Sequence, residues 1–430
     1  MELDISWHNW CFKSVEEQRA DIAVFADADK SKEFCLETPP LMRLSIVQLS
    51  ERDYCFLWTF HHMILEGWSA AILMREVSEI YEANSREPTY QYEPTLDYSE
   101  YIRWLRQLEP AGAENYWRNA LLGFSQPNHL PMDSVQGDAP PRVAHCTEFR
   151  WQISPEQTQA LNRFARDHRL TLATLFLGAW ALMLGRYTRS SDTVFGLMVS
   201  GRSADLTGIE SMVGLCVNTL PARVEIDATD QLLSWLQSLQ RDQAKLRKYE
   251  HSSITQAQTF SEVPPGRPLF ETLVVFQNWG AQELEHDVWL GDVEVLSRHA
   301  YEGSDYPLTF LIAPGEEITA VLRYDPQRFE QEAVGRMHGH LNTLLDAFVA
   351  EPYQCLGNLP IVTQQEREQL LVEWNQTASV YPRDASLVTL FQEQVSLTPN
   401  APAVVFGEEN LTYSELDARA TRLAQRLCNM

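Results

Sequence analysis

The sequence is short of positive charge. Its 34 Lys and Arg stand against 59 Asp and Glu, a formal charge of −25 at pH 7, and a surface of that sign repels a phosphate backbone or an anionic bilayer. Nucleic acid and membrane are therefore not expected partners. Long apolar runs are also missing. The longest uncharged stretch, Leu170 to Gly185, has 16 residues between Arg169 and Arg186, whereas a bilayer span takes about 20; it reads as a buried core helix. The first ten residues carry Glu2, Asp4 and His8 and lack the basic start and apolar core of an export signal. Cysteine is scarce and unordered: Cys11, Cys35, Cys55, Cys146, Cys216, Cys355 and Cys428, with no Cys-x-x-Cys. Such spacing suits neither a metal site nor a disulfide framework, so the expectation is a cytoplasmic protein with no metal, its thiols acting as small core residues.

What is present is a folding composition. Of the 430 residues 44% are hydrophobic and 22% charged, which at roughly 150 residues per domain suggests two or three units. Ser14-Val15-Glu16-Glu17 has the form of a capping box, predicting a helix that ends near Ala28. Alternation over Met42 to Val47 and Tyr54 to Phe60, with Glu51-Arg52-Asp53 between, predicts a hairpin. Further on, Pro127, Pro131, Pro140 and Pro141 with Gly137 mark a connector. A helix from Pro155, strands near Thr193 to Ser200 and Gly214 to Ile226, an amphipathic helix over Gln231 to Tyr249 and β-rich segments at Leu269 to Asn278 and Ile318 to Tyr324 follow. After Leu359-Pro360 the texture becomes that of a linker, followed by a helix from Ser386, a strand Ala403 to Phe406 and a helix opened by Leu411 to Leu416. The tail pieces are too few to close a core alone.

The second hairpin strand runs into His61-His62-Met63-Ile64-Leu65-Glu66-Gly67-Trp68-Ser69, after which Leu73, Val77, Ile80 and Tyr81 recur at helical spacing. The paired histidines sit where strand gives way to turn and helix. Adjacent strand side chains point to opposite faces, so the pair cannot easily converge on one ion, and no other ligand cluster supports a metal. One imidazole, titrating near neutral pH, suits a reaction whose nucleophile is an amine or hydroxyl. Glu66 can orient that imidazole or pair with a cation, and Gly67 admits close backbone approach.

This run resembles the His-His-x-x-x-Asp-Gly signature of condensation domains of nonribosomal peptide synthetases, with Glu66 where the family has Asp. Tyr98-Ser99-Glu100-Tyr101-Ile102-Arg103-Trp104, Tyr116-Trp117, Asp192 to Gly196, Val199-Ser200-Gly201-Arg202, Val213 to Arg223, Pro268-Leu269-Phe270-Glu271 and Asp305-Tyr306-Pro307-Leu308 are similar to its other motifs, in order. Leu371 to Asn375 and Leu411 to Leu416 resemble the start of a following adenylation domain.

The resemblance implies an α/β (α+β) chain of two chloramphenicol-acetyltransferase-like lobes in a V-shaped pseudo-dimer with a central tunnel. It divides the chain into a first lobe 1–142, a second lobe 143–359, a linker 360–385 and an incomplete adenylation domain 386–430. It implies amide formation between a donor acyl or peptidyl thioester and an acceptor aminoacyl thioester, both on phosphopantetheine arms of upstream and downstream carrier domains, with no cofactor bound directly. It places His62 as the active-site imidazole, His61, Glu66 and Gly67 as motif support and Asn218 on the substrate channel. The longer side chain of Glu66 implies a shifted ion pair. The family's opening motifs precede the position of Met1, and the basic partner of Glu66 is expected among them. With no adenylation core, no nucleotide chemistry is expected. A free-standing thioester-dependent acyltransferase and a non-catalytic carrier-docking remnant share the histidine motif. Trp58, Trp68, Trp104 and Trp117 are expected in the core, His338 and His340 at a surface or rim, and Tyr301 to Tyr306 in a connection or tunnel lid.

Overall fold

The structure, a computed structural model, describes residues 3–86, 95–134, 146–277, 293–297, 299, 306–379 and 383–430. They form two compact units, Met1–Thr363 and Gln364–Met430. Residues 135–145, which hold the later part of the expected connector and the expected boundary at 142/143, together with Asn278 and residues 301–305, lie outside the described residues.

The first unit opens with a three-stranded sheet of order β1-β2-β3. Strand β1 (Asp4–Asn9) lies parallel to β2 (Met42–Gln48), and β2 pairs antiparallel with β3 (Tyr54–Phe60). The parallel pair needs a crossover, which α1 (Val15–Lys30) supplies. Ser14 and Glu17 close the capping box predicted from sequence. Phe25 of α1 meets the rings of His8 and Trp10 edge-on. Beyond β3 the chain turns and enters α2 (Gly67–Arg86), then α3 (Tyr98–Leu105) and α4 (Pro110–Ala120).

The second sheet has six strands in the order β4-β9-β8-β7-β5-β6. These are β4 (Thr147–Ile153), β5 (Asp192–Val199), β6 (Asn218–Glu225), β7 (Thr272–Phe276), β8 (Leu308–Ala313) and β9 (Ile318–Tyr324). Pairs β5–β7 and β7–β8 are parallel and the rest antiparallel. Helices α5 (Pro155–Asp167), α6 (Leu172–Thr188), α7 (Leu232–Arg247), α8 (Ile254–Thr259) and α9 (Gln331–Ala350) complete this part. Every residue of α6 from Thr174 to Gly185 is buried, which is what an all-round apolar helix in a core predicts. Among the described residues no single helix is long and apolar enough to cross a membrane. Trp117, Leu121, Phe124 and Leu130 join the same core as α6 and β8, so the segment after α4 packs with the second sheet. Of the four tryptophans expected in the core, only Trp117 is buried; Trp58, Trp68 and Trp104 are half-buried. Likewise only Cys216 of the seven thiols is buried, and Cys11, Cys35 and Cys428 are exposed.

The second unit holds α10 (Gln364–Leu371), α11 (Leu387–Leu397), the antiparallel hairpin β10 (Pro402–Phe406) and β11 (Glu409–Thr412), and α12 (Tyr413–Cys428). None of its described residues is buried, consistent with pieces too few to close a core.

Candidate active site

Strand β3 delivers the histidines. His61 N–H still donates to Leu41 O at 2.9 Å, and the chain then tightens, with Ile64 N–H on His61 O at 3.1 Å. The His61 ring folds back on this turn: its Nδ1 accepts from Met63 N–H at 3.1 Å, and its edge meets Phe34. That bond leaves the neutral ring's proton on Nε2. His61 is half-buried and His62, in the turn beyond the end of β3, is exposed. His62 as a residue is thus open to solvent on the turn.

Glu66 closes the turn and starts the helix. It is 1% exposed, and its carboxylate accepts from Trp68 N–H at 2.7 Å, satisfying one of the orphan donors at the start of α2. Its other oxygen accepts from Arg202 Nη2 at 2.5 Å and lies 3.0 Å from the Ser69 hydroxyl. The basic partner expected in a preceding segment is therefore Arg202, 136 residues downstream. Arg202 lies within a family-like motif, yet nothing local in the sequence aims it at Glu66. It also donates from Nη1 to Ile209 O at 2.6 Å and Met212 O at 2.9 Å, and from Nη2 to Ser69 Oγ at 2.9 Å. Gly201 precedes it at φ +64°, where a Cβ would lie 1.8 Å from Cys216 O; only glycine lets the 201–216 segment close on itself.

The same segment holds α2 at other points. Trp68 Nε1 donates to Glu210 O at 2.9 Å, and the Arg202 guanidinium lies 5.3 Å from the Trp68 ring centre. A cleft of about 960 Å³ opens between this side of α2 and the segment, lined by Trp68, Ile72, Arg75, Ser203, Leu206 and Glu210 among others. His62 is not one of its lining residues.

Asn218 stands at the start of β6, where its Nδ2 donates to Glu250 O and Ser252 O, both at 2.7 Å, and its Oδ1 accepts from Thr219 N–H. Its amide is thus engaged with backbone at both ends. Beside it, buried Glu250 accepts from the Ser203 amide at 3.2 Å and from the Ser203 hydroxyl. His251, outside every family-like motif, meets Tyr101 OH at 3.2 Å through Nδ1 and has Glu250 Oε1 3.7 Å from Nε2. Burial pushes the His251 pKa below the usual imidazole value, against the pull of Glu250, and pushes the Tyr101 phenol well up. His338 and His340 are half-buried; His338 packs on Phe149 and Trp151, and His340 meets Tyr187 OH. Among the described residues no group of three or more His, Cys, Asp or Glu is placed to hold a metal.

The family model described as "Condensation domain" matches residues 2–371. A linear gramicidin synthase protein of Brevibacillus parabrevis is 39% identical over 422 residues, 97% of this chain and 8% of that protein. Bacitracin synthase 3 of Bacillus licheniformis is 32% identical over 98% of this chain and 7% of its own length. The chain thus spans less than a tenth of these relatives. Among solved structures, a four-domain nonribosomal peptide synthetase bound to AMP and glycine superposes with TM-score 0.74 at 18% identity, covering 100% of this chain and 33% of that one. The first condensation domain of the calcium-dependent antibiotic synthetase, in complex with a substrate analogue, gives 0.66 at 15% identity over 84% of this chain and 81% of that one. The fold is the mixed α/β, chloramphenicol-acetyltransferase-like pseudo-dimer of those structures, and the chain belongs to the condensation-domain family of nonribosomal peptide synthetases, acyltransferase-type catalysts of peptide-bond formation.

Proposed function

We propose that this chain joins a donor acyl or peptidyl thioester to the amine of an acceptor aminoacyl thioester, both tethered to carrier domains by phosphopantetheine arms, with His62 as the working imidazole. The acceptor nitrogen attacks the donor carbonyl carbon, the C–N bond forms, the C–S bond breaks and the donor arm leaves as a thiol. The nitrogen loses a proton in this exchange, and His62 holds the amine in line, accepts that proton, or both; general-base help of this kind is worth about 10²- to 10⁴-fold. The observation that carries the reading is an exposed His62 on a turn held at its far end by the buried Glu66–Arg202 pair. His61, with its Nδ1 committed to the Met63 amide, shapes the turn. Glu66 fixes the start of α2, and Asn218 shapes the start of β6 from within the second sheet.

We read 360–385 as a linker and 386–430 as the opening of an adenylation domain. In support, the condensation family model ends at residue 371, the single condensation domain covers 84% of the chain and the four-domain synthetase covers all of it.

The test is amide formation between two loaded carrier domains, followed by intact-protein mass spectrometry. His62→Ala should lose about a hundredfold or more in rate with an unchanged melting temperature. A variant that keeps the parent rate would reject the assigned role.

A further inference from the structure

Ser69 lies in the first turn of α2, and none of its surface reaches solvent (0%). Its hydroxyl has four polar neighbours: Arg202 Nη2 at 2.9 Å, Gly214 N at 3.0 Å, Gly214 O at 2.7 Å and Glu66 Oε1 at 3.0 Å. A hydroxyl offers one proton and two lone pairs. Arg202 and the Gly214 amide fill the lone pairs, and the proton goes to the nearer acceptor, the Gly214 carbonyl. One oxygen atom therefore joins the helix behind the histidine turn to both ends of the 202–214 segment.

We propose that Ser69 is a positioning residue for His62, an inference that rests on the function proposed above. The histidine turn hangs between two anchors, the His61–Leu41 backbone bond in front and the first turn of α2 behind. Between the Ile64 bond and the start of α2 lie only Leu65, itself 2% exposed, and Glu66. Any shift of α2 against the 202–214 segment reaches the turn through that short packed lever. The segment cannot follow such a shift. A Cβ on Gly214 would lie 2.2 Å from the Tyr98 ring, and Tyr98 OH donates to Leu215 O at 2.8 Å, so Gly214 is seated from its other side. Ser69 sets the placement of the His62 ring against that fixed surface.

The experiment compares the full chain with Ser69→Ala, His62→Ala and the double variant. For Ser69→Ala the amide-forming kcat should fall about ten- to a hundredfold, the effect of a displacement near 1 Å, with KM for the loaded acceptor carrier unchanged. In the His62→Ala background Ser69→Ala should cost nothing more. Hydrogen exchange supplies a readout that needs no activity. The Met63 and Ile64 amides should exchange about tenfold faster in Ser69→Ala, as expected when a buried bonding partner is lost, while the β2–β3 amides hold their protection. Ser69→Cys, similar in size with a weaker donor, should show the same pattern in smaller measure, and it carries the comparison if the alanine variant does not fold. Faster exchange confined to Gly214, or an equal rate loss in the His62→Ala background, would overturn the inference. A wild-type rate in His62→Ala would instead remove the function proposed above, and the exchange data would still decide whether Ser69 holds the turn.

Discussion

Removing Glu66 or Arg202 alone should be far more damaging than removing both would suggest. Their side chains are 1% and 3% exposed and meet at 2.5 Å. Glu66→Gln leaves the Arg202 charge buried among neutral acceptors only, the Ile209 and Met212 carbonyls, the Ser69 hydroxyl and the amide oxygen of the substituted side chain, and stranding one member of a buried pair costs about 3–5 kcal/mol. Arg202→Met strands the carboxylate with the Trp68 amide as its remaining donor, unless the Ser69 hydroxyl turns its proton from Gly214 O to it. It also unpairs two carbonyls, at about 1 kcal/mol or more each, so its loss should be the larger, about 5–7 kcal/mol. The double variant removes both charges and keeps only the cost of the carbonyls and of imperfect packing. Its loss should fall short of the sum of the singles, about 8–12 kcal/mol, by at least about 4 kcal/mol, above the usual coupling energy between contacting residues. The measurement is a double-mutant cycle from urea unfolding, read by tryptophan fluorescence and by pulse proteolysis, with midpoints compared at matched slopes. Additive losses would show that the two charges do not depend on each other, and the account of how the histidine turn is held would fail.

Two titrations provide further tests. Asp29 is buried, and burial would raise its pKa, but the hydrogen bonds from Arg43 at 2.9 Å and Thr59 at 2.6 Å outweigh that and hold it below the ordinary carboxylate value. The folded pKa is depressed, so the stabilisation is present at neutral pH and is lost as pH falls below about 4. Asp29→Asn should flatten that part of the acid-unfolding curve, and an unchanged curve would contradict the assignment. His251 is also depressed, chiefly by burial, but for a base the sign carries a different meaning. The folded state favours the neutral ring, the unfolded chain binds more protons, and stability falls as pH drops through about 6.5. Thermal melts between about pH 7.5 and 5.5 should slope for the parent and flatten for His251→Gln; parallel slopes would sink the assignment.

Local pattern carried much of the fold. The alternation of Tyr54 to Phe60, the capping box at Ser14 and the all-round apolar helix over Thr174 to Gly185 are each decided by neighbours in sequence, and each is where its pattern puts it. The departures come where a distant partner takes a local group. A strand predicted from Gly214 begins only at Asn218, because Gly214 gives its backbone groups to the Ser69 hydroxyl and Leu215 gives its carbonyl to Tyr98. Leu411 and Thr412, read as a helix opening, end β11 instead, with Thr412 capping α12 from that position. At the site, the paired histidines and Glu66 were legible from their spacing. Arg202 and Ser69 were not, since their roles exist only once the chain has brought 66–69 against 202–214.

The geometry of that meeting accounts for a glutamate at position 66. Its extra methylene lets one carboxylate oxygen cap the Trp68 amide while the other reaches past Ser69 to Arg202. The reach is end-on: only Nη2 of the guanidinium meets the carboxylate, Nη1 is turned to the two loop carbonyls, and Nε is buried without a hydrogen-bond partner among the described residues. A side-on pairing would have used Nε and Nη2 together and left no donor unmet. The pair therefore carries the cost of one unsatisfied donor, about 1–3 kcal/mol. What offsets it is the division of labour across the guanidinium, one edge for the turn and the other for the 202–214 segment, so that a single side chain holds both against the same point. A glutamate at 66 is thus compatible with a braced histidine turn, because the segment carrying Arg202 sits where the longer side chain ends.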